Sequence, residues 1–420
     1  MNQADSWLAR HAELTRRYFL KIGLASAPAV TLLPQGVAAI EKVTELEAVI
    51  AQLESYLTKQ DDFKDVSRGD PIPHSLSAEE RQQVGLTQET WSLEVTSDPE
   101  HPAELRTPLS QESGTALKWD GLMELAQKHA VRFPKVMTCN NIGCPLGMGI
   151  WEGVPLREVI WLTQPKKDLR RIYYYGFHNE KPEQMFRSSL PIGRVLEDPF
   201  GLPPVIICYK LNGQFLTPQR GGPVRLVVPE AYGFKSVKWL SHVVLTNLYH
   251  ANDTYAGGNN DVDSWLKTFA ATLSIPKQVK AGEPIPVTGY AQVGISGLAK
   301  VQTCLLHDDT PLPFQDRFLT KLPWEDASIL GPPETWGGEL PDGELPDSVR
   351  GFDPASKRPL HWPMRLSKAH WAKLLPGLPP GEYTFRCRTL DENGIAQPLP
   401  RPFDKSGRNS IERVSIEVIA

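Results

Sequence analysis

The 38 prolines of this 420-residue chain constrain its fold more than any other feature. Proline fixes φ, offers no N–H and breaks helix interiors, so this many disfavour a helix bundle and favour strands, turns and irregular connections. The apolar patterning agrees. Trp91 to Val95 alternates as a half-buried strand, Arg171 to His178 reads as an aromatic strand, and Val205 to Leu211 as another. Val224 to Val228 is apolar and β-branched enough for a buried central strand. Helical spacing marks only two stretches here. One is Ile40 to Gln60, where Val43, Leu46, Val49, Ile50, Leu53 and Leu57 recur at helical intervals; the other is Gly121 to His129, expected to close on Phe133-Pro134.

The length allows two or three domains, each with its own core. Helical signal ends near Ser274-Ile275-Pro276. From Ile285 onward short strands recur between turn signals: Val287 to Tyr290, Ala299 to Leu306, Gly381 to Arg388 and Ile411 to Val418. That spacing predicts an all-β sandwich over 273–420. Within it, Pro311 to His370 is rich in Pro, Gly, Asp and Trp, as expected of an excursion packed on the core or a functional loop. A net charge of −4 gives no basic face for nucleic acid.

The first residues read as a transport address, 1–39. Thr15-Arg16-Arg17-Tyr18-Phe19-Leu20-Lys21 is a twin-arginine core, Ile22 to Leu33 is mildly apolar, and Val37-Ala38-Ala39 supplies small residues suited to cleavage. The apolar run is too short and too proline-broken for a membrane span. The expected location is therefore the periplasm, reached by the twin-arginine pathway, with a helix and connecting segment over 40–90.

Cys139 is the leading candidate for chemistry. It follows Val136-Met137-Thr138 at a strand end and precedes a Gly/Asn turn, with Gly149 to Leu156 beyond it. A thiolate suits a soft metal, although a strand-end cysteine is more often a small buried hydrophobe. Of the other four cysteines, Cys208, Cys304 and Cys387 read as core residues, the last two expected close enough to pair. Cys144 is the rival, able to close a disulfide onto Cys139. No Cys-x-x-Cys-His run is present, so no haem is expected on this chain.

Three blocks in order resemble the sulfite oxidase family of molybdopterin enzymes. They are the Cys139 strand, Arg220-Gly221-Gly222-Pro223-Val224-Arg225, and Gly233-Phe234-Lys235-Ser236-Val237-Lys238. The resemblance implies an α+β molybdopterin domain over 91–272 followed by an immunoglobulin-like dimerisation domain. For the latter, Arg388 to Pro398 resembles the family's closing turn. It also implies a molybdenum–molybdopterin cofactor with one pterin per molybdenum, Cys139 as metal ligand, and Arg220, Arg225, Ser236, Val237 and Lys238 around the pterin phosphate. His178 matches a cofactor-contacting position of the sulfoxide-reductase branch.

The departures bear on the substrate. Sulfite-oxidising relatives carry an arginine shortly after the ligand cysteine, where Cys139-Asn140-Asn141-Ile142-Gly143 has none. They place another in the sandwich domain, where Gln292 to Leu298 has none. Arg68 stands in for a third, as a candidate catalytic residue. The resemblance thus implies two-electron oxygen-atom transfer on a small substrate, sulfite or another sulfur compound, with electrons passing to a cytochrome c or other periplasmic carrier and a homodimer through the C-terminal domain. A sulfoxide-type reductase is the alternative with the same cofactor. A metal-free exported binding or scaffold protein is the alternative of another class.

Overall fold

The computed structural model describes residues 45–142, 144–178, 184–263, 265–398, 401–407 and 409–420. The transport address and residues 40–44 of the expected first helix lie outside them. In chain order the principal strands of the N-terminal half are β1 (Ser92–Ser97), β2 (Val131–Thr138), β3 (Pro145–Pro155), β4 (Arg171–Gly176), β5 (Ser188–Pro191), β6 (Ile206–Leu211), β7 (Arg225–Val227) and β8 (Leu240–Thr246). One sheet runs Leu117–Lys118, β1, β8, β4, β5; a second runs Gln214–Phe215, β6, β3, β2, with β7 also on β6. Trp91, Leu93 and Val95 alternate into one large core with Leu122, Val154, Ile172, Tyr174, Val243 and Leu245. β7 is fully buried as expected, yet it is three residues long and pairs only with β6.

The helix Trp119–His129 forms where its periodicity predicts, but Phe133-Pro134 lies inside β2 and not at the helix end. A proline is tolerated there because β2 is an edge strand. Arg132 and Val136 turn their backbone groups away from β3, bonding Arg350 and Leu366. Pro134 shares their side, so its missing N–H breaks no bond to β3. The first expected helix is shorter than its pattern: residues 45–51 are helical and 52–55 are not. Leu57 instead bridges to Gly337, and Tyr56 packs on Trp336 and Trp362, so tertiary contacts override the helical spacing.

The C-terminal half is all β, as expected. Its strands are β9 (Phe269–Ser274), β10 (Gln278–Lys280), β11 (Ile285–Gln292), β12 (Lys300–His307), β13 (Glu325–Ile329), β14 (Lys368–Leu375), β15 (Gly381–Leu390) and β16 (Val414–Ile419). They form one eight-stranded sheet in the order β9, β11, β14, β13, β12, β15, β16, β10. β13 pairs with β12 through its first half and with β14 through its second, so the sheet folds over on itself. Trp371 and Phe385 stack across the enclosed core. Two expectations are corrected. β9 already pairs with β11, so this sheet begins at Phe269, ahead of the boundary placed at 273. Cys304 and Cys387 do not pair: Cys387 lies opposite Thr303 and Cys304 opposite Arg386, which puts the thiols on opposite faces.

The excursion between β12 and β14 joins the halves. Trp336, Leu340, Leu345, Val349, Phe352, Met364 and Leu366 pack against Tyr56 and Leu57 and against Val136, Met148 and Ile150 of β2 and β3. The edge of β2 is thereby covered, and its Cys139 end is brought to the seam.

Close backbone packing at the end of β4 gives a test. A Cβ on Gly176 would lie 2.1 Å from the Lys238 carbonyl oxygen, whereas one on Gly193 would meet nothing within 4 Å. Gly176→Ala is expected to lower stability by about 1–3 kcal/mol. Gly193→Ala, in the short helix Ile192–Leu196, is expected to be neutral or stabilising by up to roughly 1 kcal/mol. Denaturant midpoints of the two variants check this.

Candidate active site

Four segments meet beyond the end of β2. The Gly233–Lys235 turn packs on it, with Gly233 against Met137 and the Thr138 carbonyl. The end of β4 lies on Lys238 and Trp239, where the Phe177 N–H donates to the Trp239 carbonyl, and His178 follows. The 218–222 turn lies against Lys238: Gly221 has φ +94° and a Cβ there would fall 2.8 Å from Lys238 Cβ, while one on Gly222 would fall 2.3 Å from the Leu216 carbonyl oxygen. These glycines are therefore required by chain-on-chain packing and were not legible as such. The 63–74 segment closes the group. Lys238 Nζ bonds Asp65 Oδ1 at 2.7 Å and Ser67 Oγ at 2.8 Å, and Arg220 and His74 each lie 3.8 Å from Asp65.

Cys139 is half-buried, and all five cysteines are free thiols, Cys144 with Lys64 Nζ 3.0 Å away. Beside Cys139 in the chain, and on the segments that meet beyond β2, stand buried polar groups without hydrogen-bond partners. Both carboxamide atoms of Asn140, both ring nitrogens of His178, and Nε and Nη2 of Arg220 are orphaned. Asn140 is 4% exposed, His178 8% and Arg220 3%. Buried donors and acceptors left unmade cost about 1–3 kcal/mol each, so such a cluster marks where a ligand is received.

The electrostatics have the same sign. Burial pushes Lys238 down to about 7, Arg225 and Arg220 push it the same way, and Asp65 opposes them. Burial also works against the charge of Asp65, yet Lys238, Ser67 and His74 outweigh it and hold its carboxyl below the ordinary range. Burial, with the charge of Arg68 adding, pushes His178 down to about 4, so its ring is neutral near pH 7. Asp65 thus faces Arg220 and Lys238, with Arg225 nearby and Asp61 adding its charge at Arg220. An incoming anion would relieve that crowding.

The remaining sequence-predicted residues divide. Ser236 accepts from the Val228 N–H through its hydroxyl and from Arg225 through its carbonyl, and Val237 accepts from the Leu226 N–H. Arg225 donates through its Nη atoms to the carbonyls of Arg220 and Ser236, lies over Trp151, and keeps a buried Nε without a partner. It clamps the two basic turns together. Arg68 is exposed and lies 4.9 Å over the Phe186 ring, at the rim. Sequence reasoning missed Asp65, Asn140 and the buried Lys235–Asp253 pair at 2.6 Å. The first two sit in turn-rich runs where Asp and Asn read as turn formers. A hollow of about 250 Å³ between Trp265, Lys267, Thr389 and Arg401 lies apart from this site, its Lys267 and Arg401 already bonded to Gly407 and Asp261.

Residues 81–253 match the oxidoreductase molybdopterin binding domain. The matched stretch holds Cys139, His178, Arg220, Arg225 and Ser236 to Lys238. Among curated relatives, the NADH nitrate reductase of Ulva prolifera is 31% identical over 158 residues, covering 31% of this chain and 18% of that protein. The NADPH nitrate reductase of Neurospora crassa is 28% identical over 188 residues, covering 39% of this chain and 18% of that protein. The chain therefore spans less than a fifth of the length of these relatives. Among solved structures, the sulfane dehydrogenase SoxCD of Paracoccus pantotrophus superposes with a TM-score of 0.54 at 16% identity, over 80% of this chain and 79% of that one. That likeness extends the shared fold past the molybdopterin binding domain into the all-β half.

The two arginines give opposed expectations. Arg225→Ala orphans two buried carbonyls and is expected to destabilise the domain by about 2–5 kcal/mol. Arg220→Ala removes a guanidinium with unmet donors, so it is expected to lower bound pterin at least about tenfold while the denaturation midpoint stays near native. Pterin release assays and denaturant titrations on both variants decide between these roles.

Proposed function

We propose that this protein is a molybdenum–pterin oxidoreductase carrying out two-electron oxygen-atom transfer on a small substrate, with Cys139 as the protein's metal ligand. The observation that carries the reading is the set of orphaned buried groups on Asn140, His178 and Arg220, on segments that meet beyond the strand ending at a free, half-buried cysteine. The residues fit the group. Among the described residues no cluster of three His, Cys, Asp or Glu could hold a metal, so a metal on Cys139 needs further donors from a cofactor. When bound, the pterin's dithiolene and the molybdenum supply the redox chemistry.

The chain's own residues do the rest. Arg220 and Lys238 receive the phosphate charge, and Asp65 holds Lys238 in place until then. His178 and Asn140 offer neutral hydrogen-bonding groups beside the thiol. Arg68, on Phe186, is a cation at the rim able to meet a polar substrate. The same reading gives the C-terminal sheet an immunoglobulin-like, dimer-forming role and places the protein in the periplasm. There a cytochrome c or similar carrier would take the electrons. No helix among the described residues is long and apolar enough to cross a membrane.

The substrate follows from charge. Each missing guanidinium removes a contact worth roughly 1.5–3 kcal/mol to a dianion. Sulfite is thus expected to turn over weakly, with a KM in roughly the millimolar range, and a larger or less charged sulfur–oxygen compound to do better. Steady-state turnover of sulfite with an artificial acceptor, beside a sulfoxide with reduced dye, measures this. A low-micromolar KM for sulfite, unmoved by Arg68→Ala and His74→Ala, would overturn it.

A further inference from the structure

Gln292 opens the stretch in which the family resemblance led to an arginine and none stands. It is the last residue of β11, in the C-terminal sheet, and is 0% exposed. Its Oε1 accepts from Thr138 Oγ1 at 2.5 Å, and its Nε2 donates to the Lys267 carbonyl at 2.7 Å. Thr138 is 1% exposed and ends β2, immediately before Cys139.

We propose that Gln292 is a positioning residue for Cys139: through Thr138 the C-terminal sheet sets the direction in which the thiol leaves β2. This rests on the reading of Cys139 as the ligand. The ladder to β3 cannot by itself fix that direction, because its register shifts between Met137 and Thr138. Thr138 is held instead from two sides, by the Gly233 backbone packed near its carbonyl and by the Gln292 carboxamide at its hydroxyl. A carboxamide both accepts and donates, so one neutral side chain satisfies groups of two segments at once. Leucine of similar size would orphan the Thr138 hydroxyl and the Lys267 carbonyl together. Glutamate would keep the acceptor for the Thr138 hydroxyl but lose the donor to the Lys267 carbonyl.

The test uses the full chain, made in cells that cannot synthesise the pterin. Iodoacetamide labelling of Cys139 is followed by fragment mass spectrometry, with Cys144 of the same peptide as internal reference. Gln292→Leu and Thr138→Val are each expected to raise the Cys139-to-Cys144 labelling ratio by about threefold or more, and the double variant by no more than Gln292→Leu alone, because the Thr138–Gln292 bond is already lost in both singles. Thr138→Ser keeps the hydroxyl and is expected to keep the native ratio. Thr138→Val is nearly isosteric, which guards against a Gln292 variant that fails to fold. In molybdenum-loaded protein, Gln292→Leu is expected to shift the thiolate-to-metal absorption and to lower kcat while KM holds. Ratios within about twofold of native in both singles, or effects that multiply in the double, overturn the proposal. So does an unshifted absorption band. Full molybdenum retention by Cys139→Ser would instead overturn the ligand reading itself.

Discussion

The end of β2 is held between two halves of the molecule, and the candidate site exists because of it. An edge strand left open would present unpaired backbone groups to solvent and a mobile end. Here the excursion before β14 bonds Arg132 and Val136, and the Gly233 turn and Gln292 close on Thr138. Cys139 therefore emerges from a strand whose last residues are buried on every side, while the thiol remains half-exposed. A ligand set by such packing keeps its geometry without a rigid loop of its own.

Charge organises the rest. Basic side chains from two turns, Arg220 and Lys238, converge on Asp65, and Arg225 clamps those turns by their carbonyls. An incoming anion, as the proposed function requires, would relieve the crowding of positive charge there. Other candidate site residues differ in polarity. His178 and Asn140 are neutral and the one rim cation sits on an aromatic face.

Much of this was legible in the sequence, for definite reasons. Strands with period-two burial, such as Ser92–Ser97, announce themselves, and the three blocks around Cys139, Arg220 and Lys238 do come together in space. What the sequence concealed depends on contacts distant in the chain. Pro134 reads as a terminator until β2 is seen to be an edge; Leu53 and Leu57 read as helix until Gly337 and the tryptophans of the excursion claim that segment. Arg225 and Arg220 are indistinguishable in a motif, and only their partners separate them: Arg225 donates to two backbone carbonyls, while Nε and Nη2 of Arg220 have no hydrogen-bond partner. Gln292 stood out only as part of a stretch lacking an arginine, and its bond to Thr138 was hidden because that partner lies 154 positions away.

The central claim is that Cys139 binds molybdenum directly. X-ray absorption at the molybdenum edge of the purified protein, with and without Cys139→Ser, tests it without reference to substrate. The account predicts a sulfur-rich first shell in the native protein and one sulfur scatterer fewer in the variant. Identical first shells in the two proteins, or a native protein without molybdenum, would contradict it.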